Sequence, residues 1–223
     1  AGYRGYTALA PQSGPWIAPA ITNECGTPLN FVKNIRQAVW GANDNNPFSA
    51  NCLSSVNAKY DNVINSDVLV IRHVSSTPTL TASAVPNAPY LRSSYEKADV
   101  MQGSALPGLV LPVNTDGTEN FALQVYVYYI GSDDNDATVQ ALRRVALADN
   151  DMKDQMVVSG IEQIQFEYGI TNTVALTNQY FTANNIAGDH SANGTTNWDG
   201  VNSVRIWLLA RNAKAEAGYP NPD

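Results

Sequence analysis

Apolar and polar positions alternate most regularly toward the C-terminal end of the chain, between Met156 and Ile170. In the second half of that stretch Ile164, Phe166 and Tyr168 are interleaved with Gln165 and Glu167. A period of two places the first three on one face of a strand and the other two on the opposite face, so one side is buried and one is wet. Gly169 closes the pattern. A second stretch, Val204 to Arg211, puts Val204, Ile206, Leu208 and Ala210 on one face. Its other face carries Trp207 and Leu209 between Arg205 and Arg211. A strand that is apolar on both faces is expected inside a sheet covered above and below.

The same pattern predicts further strands upstream. Asp67 to Val74 places Val68, Val70, Arg72 and Val74 on one side and Leu69, Ile71 and His73 on the other. The run from Phe121 to Gly131 is the longest apolar strand, with Phe121, Leu123, Val125, Val127 and Tyr129 opposed to Ala122, Tyr126, Tyr128 and Ile130. GSDDNDAT then reads as a hairpin loop, LRRVAL as the returning strand, and ALADNDMKDQ as a polar connection. Phe31, Ile35, Val39 and Trp40 recur near helical spacing before Gly41, which predicts a short amphipathic helix. Between Ser75 and Pro112 five prolines keep the chain out of a central sheet, and short edge strands are expected around Pro89 to Arg92 and Leu109 to Val113. Residues 1–24 read as an extended segment, the Thr, Asn and Gly-rich stretch from Ile170 to Trp198 as an excursion, and residues 212–223 as a mobile tail. The whole, 1–223, is expected to form a single domain.

Composition narrows the function. Charged residues are only 15% of the chain, and the net charge is −7. With no basic stripe to neutralise phosphates, nucleic acid is not an expected partner, and a basic membrane-surface contact is disfavoured for the same reason. No run of about 18 apolar residues spans a bilayer. The chain opens on AGYRGY, which is neither a signal peptide nor an initiator methionine, and reads as a processed or truncated product.

Candidate chemistry is sparse. Cys25 and Cys52 lack the close spacing of a zinc or redox motif. Their even number in an apparently exported chain favours a disulfide, which in the chain-entropy model contributes about 3 to 4 kcal/mol; two buried free thiols are the alternative. His73 and His190 have no partner at catalytic or ligating spacing. Glu162 and Glu167 read as polar positions at a strand start and on its wet face rather than as a catalytic pair. Asp133, Asp134 and Asp136, and Asp149, Asp151 and Asp154, gather carboxylates in two turns, but neither matches a calcium-loop motif. The expectation is a protein without catalytic residues, metal or cofactor.

Several of these residues, in this order, resemble the PilW family of minor pilins in type IV pilus assembly, and more distantly the J-type pseudopilins of type II secretion. The resemblance rests on the opening Ala1 to Gly5, on Ser66 to Leu69, and on Val127 to Ile130 followed by Leu142, Arg143 and Arg144. It is most specific in Gly160 to Gly169 and in Trp198 with Val204 to Arg211. Tyr6 stands where the family often has a cysteine, so its disulfide pattern is not carried over.

The resemblance implies an α+β, mostly β, pilin-like ectodomain with antiparallel sheets and a truncated N-terminal helix. It implies assembly with other minor pilins and the major pilin, in the inner membrane and periplasm first and then in the extracellular pilus. Contact with the membrane would come only through the missing helix, and function would come from packing rather than catalysis. An apolar helix-docking face is expected from Tyr126, Tyr128, Ile130, Trp207 and Leu209. An exported carbohydrate-binding or adhesin β-sandwich is the alternative from the residues, with Tyr126 and Tyr128 as its aromatics; a hydrolase lacks a recognisable nucleophile and base.

Overall fold

The strand expected from Phe121 to Gly131 runs from Glu119 to Ser132 and forms the spine of the molecule. A computed structural model describes residues 38–45, 66–93, 98–108, 118–148, 151–172, 177–186 and 198–211. In chain order the strands are β1 (Val39–Ala42), β2 (Val68–Val74), β3 (Pro89–Ser93), β4 (Ala98–Gln102), β5 (Glu119–Ser132), β6 (Gln140–Ala148), β7 (Asp151–Ser159), β8 (Ile161–Asn172), β9 (Thr177–Phe181) and β10 (Val201–Ala210).

β1 to β7 form a seven-stranded sheet, and β10, β8 and β9 form a three-stranded one; every pairing is antiparallel. β2 runs along one edge of β5, with Leu69 to Val74 opposite Tyr128 to Leu123. The amides of Ser75 and Thr79 continue that edge by donating to the carbonyls of Ala122 and Asn120. β3 and β6 therefore share the opposite edge of β5, pairing at 119–122 and at 126–132.

One face of the spine is buried along its length, and the other is partly covered. Phe121, Leu123, Val125, Val127 and Tyr129 pack with Val68, Val70, Val74, Leu91 and Val145 on one side of the large sheet. On the other side Leu69, Ile71, Tyr128 and Ile130 meet Ile164, Phe166, Tyr168 and Ile170 from β8, so the small sheet lies across that face. Removing each such large side chain from water contributes about 1.5–3 kcal/mol, and this seam joins the two sheets.

Two backbone devices fix how the sheets meet. Gly160, with φ of 80°, sits between β7 and β8 and lets the chain leave one sheet for the other, a conformation only glycine adopts freely. Its amide donates to the Gln140 carbonyl at 2.8 Å, and its carbonyl accepts from the Arg211 amide at 2.9 Å. The second device is the start of β2. The Asp67 amide donates to Ile164 O at 3.0 Å, the Phe166 amide donates to Asp67 Oδ2 at 2.7 Å, and the Ile164 amide donates to Ser66 Oγ at 3.3 Å. Asp67 Oδ1 also accepts from the Asp44 amide at 3.0 Å. The carboxylate thus stitches three segments together, and burial pushes its pKa up although the Phe166 and Asp44 amides pull it down.

The α+β, pilin-like expectation is corrected here. The described residues contain strands and short 3-10 turns, with no α-helix. Val39 and Trp40, whose spacing suggested a helix, pair with Ile71 and Val70 as strand β1. A β-rich pairing partner overrides local spacing when the side chains have a hydrophobic seam to enter, and Trp40 packs against both core clusters. β3, expected at an edge, lies between β4 and β5, with Pro89 as its first residue, where proline is tolerated. Residues Asp151 to Gln155 belong to β7 rather than to a connection. The expected strand at Leu109 to Val113 lies outside the described residues, as do the N-terminal segment, Cys25 and Cys52, and the tail.

Candidate interaction surface

β10 is a strand of the small sheet with the register Arg205 opposite Glu167, Ile206 opposite Phe166, Trp207 opposite Gln165 and Leu208 opposite Ile164. Ile206 and Leu208 therefore share the face that carries the buried Phe166 and Ile164. The seam nevertheless stops short of them: Ile206 is 54% exposed and Leu208 53%. Trp207 (47%) and Leu209 (54%) are exposed on the opposite face. The expectation that this doubly apolar strand is covered on both sides is overturned. It lies at the end of its sheet, with β8 on one edge.

The charged neighbours of this strip are each engaged by another residue of the small sheet. The Arg205 guanidinium lies 3.5 Å from the centroid of the Tyr180 ring on β9, and 3.9 Å from Glu167. Hydrogen bonding to Ser203 and the neighbouring Arg205 charge hold the Tyr180 hydroxyl below its ordinary pKa. Arg211 Nε pairs with Glu162 Oε1 at 2.8 Å. The two glutamates singled out in the sequence are thus each engaged by an arginine of the β10 segment.

The structure separates the residues expected to form one docking face. Ile130 is fully buried and Tyr128 is packed in the seam between the sheets. Tyr126 lies half-buried, its ring 5.5 Å from His73 and 6.3 Å from Tyr128, with the Arg144 guanidinium 5.1 Å above it. Only Trp207 and Leu209 remain on the outer face of β10. Ile206 and Leu208, which the alternation places in a covered face, complete the exposed strip; their period gives the face they occupy but not whether a layer lies over it.

The other chemically suggestive groups serve the fold. Asp133 Oδ1 accepts from the amides of Asn135 and Asp136, and Asp136 Oδ1 accepts from the amide and hydroxyl of Thr138, so the acidic turn caps itself. These hydrogen bonds, to Ser159 first for Asp133 and to Thr138 for Asp136, hold both carboxyls below the usual range. Asp134 and Asp154 pair with the buried Arg143, whose Nη1 also donates to Ser132 O at 2.8 Å. Tyr129 Oη donates to Asp154 Oδ1 at 2.7 Å, and burial raises the pKa of that phenol. Among the described residues no group of three His, Cys, Asp or Glu side chains is placed to hold a metal. His73 Nδ1 lies 3.0 Å from the Val74 carbonyl, and His190 falls outside the described residues.

β10 falls within a segment that matches a family model. Residues 127–223 match the model of the PilW family, Type IV Pilus-assembly protein W. The match supports the PilW family. It spans the PilW-like hairpin of β5 and β6, the Gly160 corner and all of the small sheet; the resemblance at Ala1 to Gly5 and at Ser66 to Leu69 lies outside it. No curated protein and no solved structure matches the chain.

Proposed function

We propose that this chain is a minor pilin that helps to initiate type IV pilus assembly and sits near the filament tip, acting by packing against other subunits. The PilW match ties residues 127–223 to type IV pilus assembly. The observation that carries the finer reading is the run Ile206 to Leu209: four consecutive large apolar residues left exposed within the matched segment. Exposed apolar surface of this kind marks a protein contact. The partners in this reading are other minor pilins and the major pilin, met in the inner membrane and periplasm before assembly and then in the extracellular pilus.

The glutamates considered for chemistry are held by Arg205 and Arg211, which favours packing over catalysis. The aromatic platform of the carbohydrate-binding alternative loses Tyr128 to the seam between the sheets. Deleting the gene and counting surface pili by electron microscopy tests the proposal, together with gold labelling of an epitope-tagged copy. Few pili after deletion, and label at filament ends, are expected; normal piliation or label along the whole filament overturns it.

A further inference from the structure

We infer that β10 receives an extended, uncharged strand from a different polypeptide, which adds to the small sheet through the backbone edge at Val204, Ile206 and Leu208, an edge that no strand among the described residues occupies. The inference rests on the proposed role in pilus assembly and names the mode of contact.

The edge can be assigned from the ladder. On β8 the amides of Ile164 and Phe166 point to Ser66 and Asp67. Backbone groups alternate in direction along a strand, so Gln163, Gln165 and Glu167 point the other way, to Leu209, Trp207 and Arg205. The amides and carbonyls of Val204, Ile206 and Leu208 then face outward, where the order β10-β8-β9 ends. An edge of unpaired backbone flanked by apolar side chains is a template for another strand.

Exposure and charge select the occupant. Side chains are bare on both faces of β10, and an element lying on one face would cover only alternate residues. Edges are ordinarily guarded by charge, and β7, which among the described residues pairs only with β6, carries exposed Lys153. On β10 the exposed run Ile206 to Leu209 carries no charge, and the flanking Arg205 and Arg211 already have partners in Tyr180 and Glu162. An uncharged strand complements such an edge.

A second copy of this chain fits poorly. Each chain brings a net charge of −7, so two copies repel as they approach. The four half-exposed side chains offer on the order of 400 Å², below the roughly 800 Å² per partner of a standard interface. The incoming strand therefore belongs to a partner that also makes contact elsewhere.

The test uses the 223-residue chain, isotope-labelled, with the purified ectodomains of the minor and major pilins of the same cell added one at a time. One of them is expected to bind and to slow amide exchange at Val204, Ile206 and Leu208 at least tenfold, with smaller changes at Arg205, Trp207 and Leu209, which are already bonded to β8. Leu208→Pro removes an outward donor and Leu208→Lys restores a charged guard; each should weaken that binding at least tenfold, while Leu208→Val retains it. Binding without protection of the three amides overturns the inference. So does protection already present in the isolated chain, protection that appears as its own concentration rises, or binding by none of the ectodomains. Any of these, with piliation still lost on gene deletion, leaves the assembly proposal standing; normal piliation on deletion overturns that proposal itself.

Discussion

Gly41 on β1 leaves the space that the hydroxyl of Tyr168 on β8 occupies. A Cβ at position 41 would overlap Tyr168 Oη and lie 2.7 Å from its Cζ and 2.9 Å from Val68 O. The ring reaches this place through the seam between the sheets, with the Trp198 ring edge-on to it at 4.8 Å. The Tyr168 hydroxyl is buried and has no hydrogen-bond partner. Gly41→Ala is expected to destabilise the fold by about 1–3 kcal/mol, as overpacking does, because backbone at Val68 limits relaxation. Tyr168→Phe, which deletes an unpaired buried hydroxyl, should leave stability unchanged or raise it by about 1 kcal/mol. Urea melts of the two variants measure both, and a Tyr168→Phe variant that is clearly less stable would show that the hydroxyl has a partner.

Asp67 gives a pH dependence of defined sign. Its pKa in the folded chain is raised above the ordinary 3.8 by burial. A carboxyl raised in this way favours the folded state most when protonated. Its contribution is therefore fully present below pH 3.8 and is lost as pH rises through the folded pKa. Asp67→Asn keeps one acceptor oxygen but places an amide NH₂ against a backbone donor, at a cost of about 1–3 kcal/mol. The stability of the natural protein relative to this variant should fall as pH rises across that window and then level off, as denaturant midpoints at successive pH values would show.

Arg143 and Asp154 form a buried ion pair beside Tyr129, with Arg143 Nε 3.0 Å from Asp154 Oδ2. Asp154→Ala leaves the guanidinium with Asp134 and the Ser132 carbonyl as its remaining partners, Asp134 being half-exposed. A loss of about 3–5 kcal/mol is expected. The double change Arg143→Met with Asp154→Ala should recover part of that loss, because no buried charge remains. A thermodynamic cycle on the two single variants and the double variant checks the recovery.

Trp207 and Leu208 are exposed, so shortening them should cost little in the isolated chain. Trp207→Ala and Leu208→Ser are each expected to shift stability by no more than about 0.5 kcal/mol. Both should weaken binding of the partner ectodomain that protects the β10 amides, measured by calorimetry. A large loss of stability in either variant would place that side chain in a core.

Period-two alternation revealed β2, β5, β6, β8 and β10, because in each of them apolar residues recur on at least one face. It did not reveal β4, β7 or β9. Lys153 and Gln155 present polar side chains along β7, and Asn178 and Gln179 do so along β9, so those strands exist through pairing with neighbours rather than through a pattern of their own. Val39 and Trp40 misled for the opposite reason: two apolar residues at the end of a helical spacing were claimed by an adjacent strand. The exposed strip was half legible. Its residues were singled out, but a sequence shows which side of a strand is apolar, and only the arrangement of sheets shows where a layer ends.

The corner at Gly160 sets how load passes through the small sheet. Because the Arg211 amide is tied to the Gly160 carbonyl, the far end of β10 is anchored at the point where β7 becomes β8. Tension along the axis of β10 is shared in shear by the rungs at Arg205, Trp207 and Leu209, whereas a sideways pull at Val201 opens them one after another. A subunit gripped lengthwise by this strand is thus built to resist traction far better than peeling.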